Sequence, residues 1–154
     1  MTDTPEDRLA ELGIILPQPP AAAASYIPTR RSGDLLFTAG QLATADGELL
    51  AVGRLGHDVA LETAQRCARQ GAINVLAQIR GSTGQLRHVR RLVKLTVYVA
   101  STGDFTEHHL VANGASELIG DVLGEAGQHA RAAVGVAALP KGSPVEVEAV
   151  AEVA

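Results

Sequence analysis

Aromatic residues are nearly absent from this sequence: its 154 residues include two Phe, two Tyr and no Trp. A core must therefore be built from Ala, Val, Leu and Ile. Hydrophobic residues make up 46% of the chain and charged residues 19%, so a sizeable core is possible and disorder is not expected. At this length we expect one domain over residues 1–154, in which residues 1–20 form an N-terminal extension.

Positive charge is also scarce, since the formal net charge is −4. A surface that binds nucleic acid needs clustered Lys and Arg to neutralise phosphates, and aromatic rings on which bases stack. Basic residues do cluster at Arg87–Lys94, but this stretch continues into LTVYV, which places the charges at the solvated start of a strand. The composition therefore argues against a nucleic-acid partner.

Cysteine occurs once, at Cys67, which excludes an internal disulfide and fits a reducing compartment. The N-terminal segment MTDTPEDRLAEL lacks the basic and apolar regions of a signal peptide. No apolar run approaches the length of a membrane span. From these features we expect a cytoplasmic protein without a membrane anchor.

Turn residues and hydrophobic periodicity predict an alternation of strands and helices. The predicted order is a short helix over 5–12, two strands within 25–41, a short strand near 48–52, a helix from Asp58 to Gly81 or Gly84, a strand over 90–101, a helical region over 104–127, and two strands over 129–138 and 144–153. Asp58 is expected to cap the first turn of the long helix. This order is typical of an α+β layer in which two helices cover one face of a sheet.

The two C-terminal strands raise the question of what Arg131 does. In the last strand, small apolar residues from Val145 to Val153 take one side and glutamates take the other. In the preceding strand, His129 and Arg131 share a side that is otherwise Ala and Gly. Arg131 can therefore form an ion pair with Glu146 or Glu148, or hold a small ligand in the room that the small residues leave.

Motifs spread over residues 9–153 match one known family in order and spacing. The C-terminal half contains GQHARAAVGVAALPKGSPVEVEAVAEV, in which an arginine lies eight residues before a Leu-Pro pair, followed by a turn and V-E-V-E-A. The N-terminal half contains Y-x-P, GDLLFTAGQ and G-x-x-G. The chain thus resembles the RidA/YjgF family, and the segments LGIILP and VANGASEL are similar to its longer, YjgF-like branch.

This resemblance implies a fold, an assembly and an activity. The fold would be chorismate-mutase-like α+β, with two helices on one face of the sheet, and the assembly a homotrimer with ligand clefts between subunits. The best-studied members hydrolyse enamines and imines such as 2-aminoacrylate to 2-keto acids and ammonia, with no metal and no organic cofactor. A small carboxylate metabolite, a 2-imino or 2-keto acid, is therefore the ligand we expect.

The resemblance also assigns roles to individual residues. Arg131 would hold the ligand carboxylate through two parallel hydrogen bonds, a geometry that lysine cannot supply. Glu146 would orient a water molecule and manage protons, which makes it the second catalytic residue. Tyr26 and the backbone N–H of Gly40 would bind the substrate. Asn113 and the backbone carbonyl of Ala133 are further expected substrate contacts.

Two departures from the family pattern keep other functions open. Ala133 stands where family members often have Cys, and Ala39 stands where they have Ser before Gly-Gln. The second hypothesis, after the deaminase, is a non-catalytic trimer that binds small carboxylates. A third hypothesis, an endoribonuclease or translation inhibitor, follows a label attached to parts of the family, and the acidic charge argues against it.

The remaining reactive side chains are interpreted as structural. Cys67 lies on the apolar stripe of the long helix, which is typical of a small core residue. His108 and His109 are adjacent and cannot face one metal together on a helix, so no metal site is expected. Glu148 and Glu152 are interpreted as structural strand residues.

Overall fold

The computed structural model describes residues 3–154. Its helices are α1 Pro5–Glu11, α2 Leu61–Thr83 and α3 His108–Leu123. Its strands are β1 Thr29–Ser32, β2 Leu35–Thr38, β3 Gln41–Leu42, β4 Thr44–Ala45, β5 Glu48–Leu49, β6 Val89–Ala100, β7 Ala130–Val136 and β8 Val145–Val153. Short 3₁₀ turns precede β6, follow α3 and precede β8.

The strands form one mixed sheet and a small hairpin. The main sheet has the order β1-β2-β8-β6-β7, and β3 pairs with β8 beyond the end of β2. Strand β7 runs parallel to β6 at one edge, whereas the other pairs in this sheet are antiparallel. The prediction of an α+β fold is confirmed. No helix within residues 3–154 is both long and apolar enough to cross a membrane.

The alternation predicted for β8 is confirmed. Five of its residues are buried beneath the helices: Val145, Val147, Ala149, Ala151 and Val153. The residues between them, which include Glu146 and Glu148, are half-buried on the opposite face. We call this opposite side of the sheet the open face, because α2 and α3 pack on the other one.

Strand β6 departs from the strict alternation that its sequence predicts. That alternation put Leu92 and Leu95 on opposite sides, with Val93 beside Leu95. In the structure, a register shift between Leu92 and Lys94 inserts an irregularity, and Leu92 and Leu95 are both buried, at 1% and 0% exposure. Val93 is 38% exposed. The bulge keeps both leucines in the core and leaves Val93 partly exposed to solvent.

The long helix begins later than predicted. Helix α2 starts at Leu61, and the predicted cap Asp58 instead accepts a hydrogen bond of 2.7 Å from the backbone N–H of Arg54, closing the preceding turn. At the other end, α2 continues through Gly81 and stops at Gly84, whose φ of 83° favours glycine. Helix α3 likewise begins at His108, after the predicted start near 104.

The N-terminal extension is packed onto the domain from residue 3 onward. Helix α1 has a capping box between Thr4 and Asp7. Leu9 and Leu16 are buried in the main core. The Glu6 carboxylate accepts a hydrogen bond of 2.6 Å from the backbone N–H of Leu86. These contacts tie the described part of the extension to the start of β6.

Candidate functional site

The guanidinium of Arg131 is held by helix α3. Its Nη1 donates to Asn113 Oδ1 at 2.9 Å and to Ser116 Oγ at 3.1 Å, and its Nη2 donates to the backbone carbonyl of His109 at 3.2 Å. Arg131 can reach α3 because it is in register with Leu95 of β6, and the Leu95 side chain is buried on the side of the sheet that the helices cover. The structure thus brings Asn113, one of the expected substrate contacts, beside Arg131.

The alternative of an ion pair between Arg131 and the β8 glutamates is wrong within one chain. None of the ion pairs formed among residues 3–154 involves Arg131. Glu148 instead accepts a hydrogen bond of 2.8 Å from the hydroxyl of Tyr98. Arg131 therefore carries a positive charge that is fixed by neutral acceptors and has no carboxylate partner in the described chain.

A hydrogen-bond relay extends from Arg131 to His129, which was predicted within the strand and lies just before β7 in the structure. His129 Nδ1 lies 2.6 Å from the carbonyl oxygen of Gly127, so Nδ1 carries a proton and donates it. In the neutral ring Nε2 is then an acceptor, and Ser116 Oγ donates to it at 2.9 Å. Ser116 can thus accept from Arg131 and donate to His129, which fixes the orientation of all three side chains.

Glu146, Gly40 and Tyr26 form a second group, on another part of the chain. A cavity of about 110 Å³ is lined by Tyr26, Gly40, Lys141 and the Pro20–Ala23 segment. A Cβ atom added to Gly40 would lie only 2.7 Å from Glu146 Cδ, so the absence of a side chain there makes room for the carboxylate. Burial, and after it the negative charge of Glu148, raises the pKa of Glu146.

The two groups do not meet within one chain. Glu146 is in register with Tyr98 on the open face, whereas Arg131 is in register with Leu95 on the face covered by helices. Ala133 follows Arg131 on that same covered side and is half-buried against the core. A single chain therefore presents Arg131, Asn113 and Ala133 in one place and the group around Glu146 in another.

Two buried residues that the sequence did not single out position the second group. Asn74 Nδ2 donates to the carbonyls of Leu42 and Thr44, both at 3.0 Å, and so holds the segment that follows Gly40. Gln78 Nε2 donates to the carbonyl of Pro20 at 2.6 Å and so holds the arm that leads to Tyr26. In the sequence, these two residues could have been found as a pair of amide side chains four residues apart on the apolar face of α2, where polar groups need hydrogen-bond partners.

The other candidate reactive groups have structural surroundings. Cys67 is buried in the core, and burial raises the pKa of its thiol. His108 bonds to Ser101 and packs against Phe105. Among residues 3–154, no three His, Cys, Asp or Glu side chains are grouped so that they could hold a metal ion.

The sequence of this chain is similar to those of known proteins. Residues 6–153 match the family described as YjgF/chorismate mutase-like, putative endoribonuclease. The chain is 46% identical over 145 residues to protein TCP17 of Trypanosoma cruzi, a match that covers 94% of this chain and 91% of that protein.

Solved structures agree with the sequence match. A protein of Agrobacterium tumefaciens with unknown function, Atu1372, is 48% identical and superposes with a TM-score of 0.91, covering 99% of this chain and 94% of its own. A putative endoribonuclease from Shewanella oneidensis is 32% identical, with a TM-score of 0.94 and coverage of 97% and 99%. Both share the fold over nearly their whole length.

Proposed function

Because this chain belongs to the YjgF/chorismate-mutase-like (RidA) family, we propose that it is a hydrolytic deaminase of reactive 2-imino and enamino acids. The reaction adds water to the imine carbon, breaks the C–N bond, and releases a 2-keto acid and ammonia. The observation that carries this proposal is the Arg131 guanidinium, fixed by neutral acceptors and unpaired with any carboxylate within residues 3–154.

The hydrogen bonds of Arg131 leave room for a ligand carboxylate. A guanidinium has five N–H donors. Nη1 uses both of its donors on Asn113 and Ser116, and Nη2 uses one on His109. One N–H on Nη2 and the N–H on Nε remain, so two donors are left for a ligand carboxylate.

Glu146 supplies the proton chemistry in this proposal. Its raised pKa makes the carboxylate a better base than an ordinary glutamate. It takes a proton from the attacking water and passes it to the imine nitrogen, which gives a carbinolamine. It then moves the hydroxyl proton of the carbinolamine to the same nitrogen as the C–N bond breaks, so the keto acid and ammonia are released and the protons balance. Tyr26 and Gly40 line the cavity next to Glu146, and in this proposal Tyr26 and the N–H of Gly40 bind the substrate while the Ala133 carbonyl orients the water.

The separation of the two groups supports a site between subunits of a homotrimer. Arg131, Asn113 and Ala133 from one subunit would face Tyr26, Gly40 and Glu146 from its neighbour. The open face also exposes large apolar side chains that a partner would cover: Leu35 at 36%, Phe37 at 43% and Val134 at 41%.

The test is hydrolysis of 2-aminoacrylate generated in situ, measured as pyruvate release above the rate in buffer. We expect acceleration by the wild type and a loss of about a hundredfold or more in kcat/KM in Arg131→Ala, as for removal of a charged ligand contact. Arg131→Lys should lose nearly as much. Arg66→Ala, on the exposed side of α2, is the matched control and should be unaffected.

A non-catalytic carboxylate-binding protein is the second candidate, favoured by Ala39 and Ala133, which lack the polar side chains common at these positions. It predicts that 2-keto acids bind in an Arg131-dependent way while no imine is turned over faster than in buffer. The endoribonuclease description of the family has less support, because a net charge of −4 disfavours a broad RNA-binding surface.

A further inference from the structure

A second cavity lies beyond Arg131 along the groove between α3 and β7. It has a volume of about 530 Å³, and its lining includes Arg54, Ser101, Phe105, His108 and Gly135. It is found where β6 and β7 both end, at the first turn of α3. None of these residues takes part in the deamination site proposed above.

The cavity contains an ordered pair of polar side chains. Ser101 Oγ and His108 Nε2 are 3.0 Å apart, and the ring of His108 stands edge-on to Phe105 with centroids 5.1 Å apart. A Cβ atom on Gly135 would lie 2.6 Å from His108 Nε2 and 2.9 Å from Ser101 Oγ. The absence of a side chain at Gly135 therefore allows Ser101 and His108 to pack against the strand.

The cavity and the proposed carboxylate anchor lie along the same strand and the same helix. Arg131 Nη2 contacts the carbonyl of His109, the neighbour of His108 in the chain. Arg131, Ala133 and Gly135 follow one another on the same side of β7. At roughly 3.3 Å per residue, Arg131 and Gly135 are about 13 Å apart along the strand. Because the arginine side chain is long, the distance that a ligand must span between its guanidinium and the cavity can be shorter than this.

The side chains that line the cavity are ones that can bind an anion. Arg54 forms no ion pair among residues 3–154, and no carboxylate belongs to the lining. Two acidic side chains lie nearby but outside the lining: Asp58 accepts from the Arg54 backbone N–H at 2.7 Å, and Asp104 accepts from the Thr102 hydroxyl at 2.6 Å. The lining thus offers a guanidinium, a hydroxyl and an imidazole.

We propose that this cavity is a second subsite, in which Arg54, His108 and Ser101 bind a distal carboxylate of the ligand. The substrates would then be 2-imino dicarboxylates rather than short aliphatic imino acids. This inference rests on the proposed function, since Arg131 holds the first carboxylate and the subsite determines which side chain follows it.

The test compares two product-like probes of equal chain length, 2-oxoglutarate and 2-oxovalerate, by calorimetric titration of the full-length protein. They differ in a terminal carboxylate against a methyl group. We expect 2-oxoglutarate to bind about tenfold tighter or more, the factor that hydrogen bonds to a charged group provide. Arg54→Ala and His108→Phe should each abolish most of this preference while leaving 2-oxovalerate affinity unchanged, and Arg66→Ala is the control.

Each outcome has one meaning. Equal affinities, no binding of either probe, or a preference that survives both Arg54→Ala and His108→Phe would overturn the second subsite. Binding of 2-oxovalerate that requires Arg131, without any preference for 2-oxoglutarate, leaves the proposed function intact and removes only the subsite. A preference that depends on Arg54 but not on Arg131 supports the subsite and contradicts the anchor.

Discussion

At the scale of single residues, Arg131 and Glu146 are prepared for function in different ways. Arg131 is oriented by a helix and a Ser–His relay, so a ligand carboxylate would meet a donor that need not be ordered on binding. Glu146 is half-buried beside Gly40 and close to the charge of Glu148. One residue offers fixed positive charge, and the other offers a carboxylate whose proton affinity has been raised.

Glu146 should make stability depend on pH in a defined direction. Its folded pKa is raised above the ordinary value of 4.5, so above that value the folded protein binds more protons than the unfolded chain. The free energy of unfolding contributed by Glu146 therefore falls as pH rises from 4.5 through the raised pKa. The Glu146→Gln variant has no ionisable side chain at this position, so it does not show this loss of stability with rising pH.

We therefore expect Glu146→Gln to gain stability relative to wild type as the pH is raised through that window. The measurement is urea unfolding of both proteins at equal concentration, at several pH values from below 4.5 to neutral. Parallel pH profiles for the two proteins would contradict the raised pKa.

At the scale of elements, two glycines on α3 have opposite expected effects. A Cβ atom on Gly114 would lie 2.9 Å from the backbone carbonyl carbon of Gln65 and 3.1 Å from its Cα, where α2 and α3 cross most closely. Backbone cannot yield as a flexible side chain does, so Gly114→Ala must separate the helices. A Cβ on exposed Gly120, on the same helix, meets nothing within 4 Å.

Gly114→Ala should lower the free energy of unfolding by about 1–3 kcal/mol, as overpacking does. Gly120→Ala should raise it by roughly 0.5–1 kcal/mol, because alanine loses less conformational entropy in a helix than glycine. Denaturant midpoints of the two variants and the wild type provide the comparison. A Gly114→Ala variant as stable as Gly120→Ala would show that the helices do not approach so closely.

The elements also show where sequence patterns suffice. The alternation of β8 predicted its buried side correctly, because a regular strand keeps period two and its apolar side is continuous. The bulge in β6 was missed, although the spacing of Leu92 and Leu95 by three residues is its trace. The position of Asp58 predicts a helix cap, whereas the structure shows its side chain accepting from the backbone N–H of Arg54, four residues earlier in the chain.

At the scale of the whole molecule, the sequence identified the family and the candidate residues but could not show how they are arranged. Both sides of β7 are made of Ala, Gly and Val around Arg131, so hydrophobicity does not reveal which side faces the helices. The parallel register with β6, a long-range feature, decides it. The sequence pattern alone allows an ion pair between Arg131 and Glu146, and the structure places the two residues on different faces of the sheet.

That separation makes the central claim testable by complementation. If Arg131 and Glu146 of neighbouring subunits form one site, trimers mixed from Arg131→Ala and Glu146→Gln subunits contain some sites with both residues intact. In a closed ring of three subunits that contains both variants, about one site in three carries both intact residues, because only one of its three interfaces joins an intact Arg131 to an intact Glu146.

The decisive measurement is therefore the 2-aminoacrylate hydrolysis rate of mixed assemblies, co-expressed with two different affinity tags and purified through both. We expect each variant alone to be inactive and the mixed assemblies to recover up to about a third of the wild-type rate per subunit. Mixed assemblies that form but stay as inactive as the separate variants would contradict a shared site of Arg131 and Glu146 between subunits.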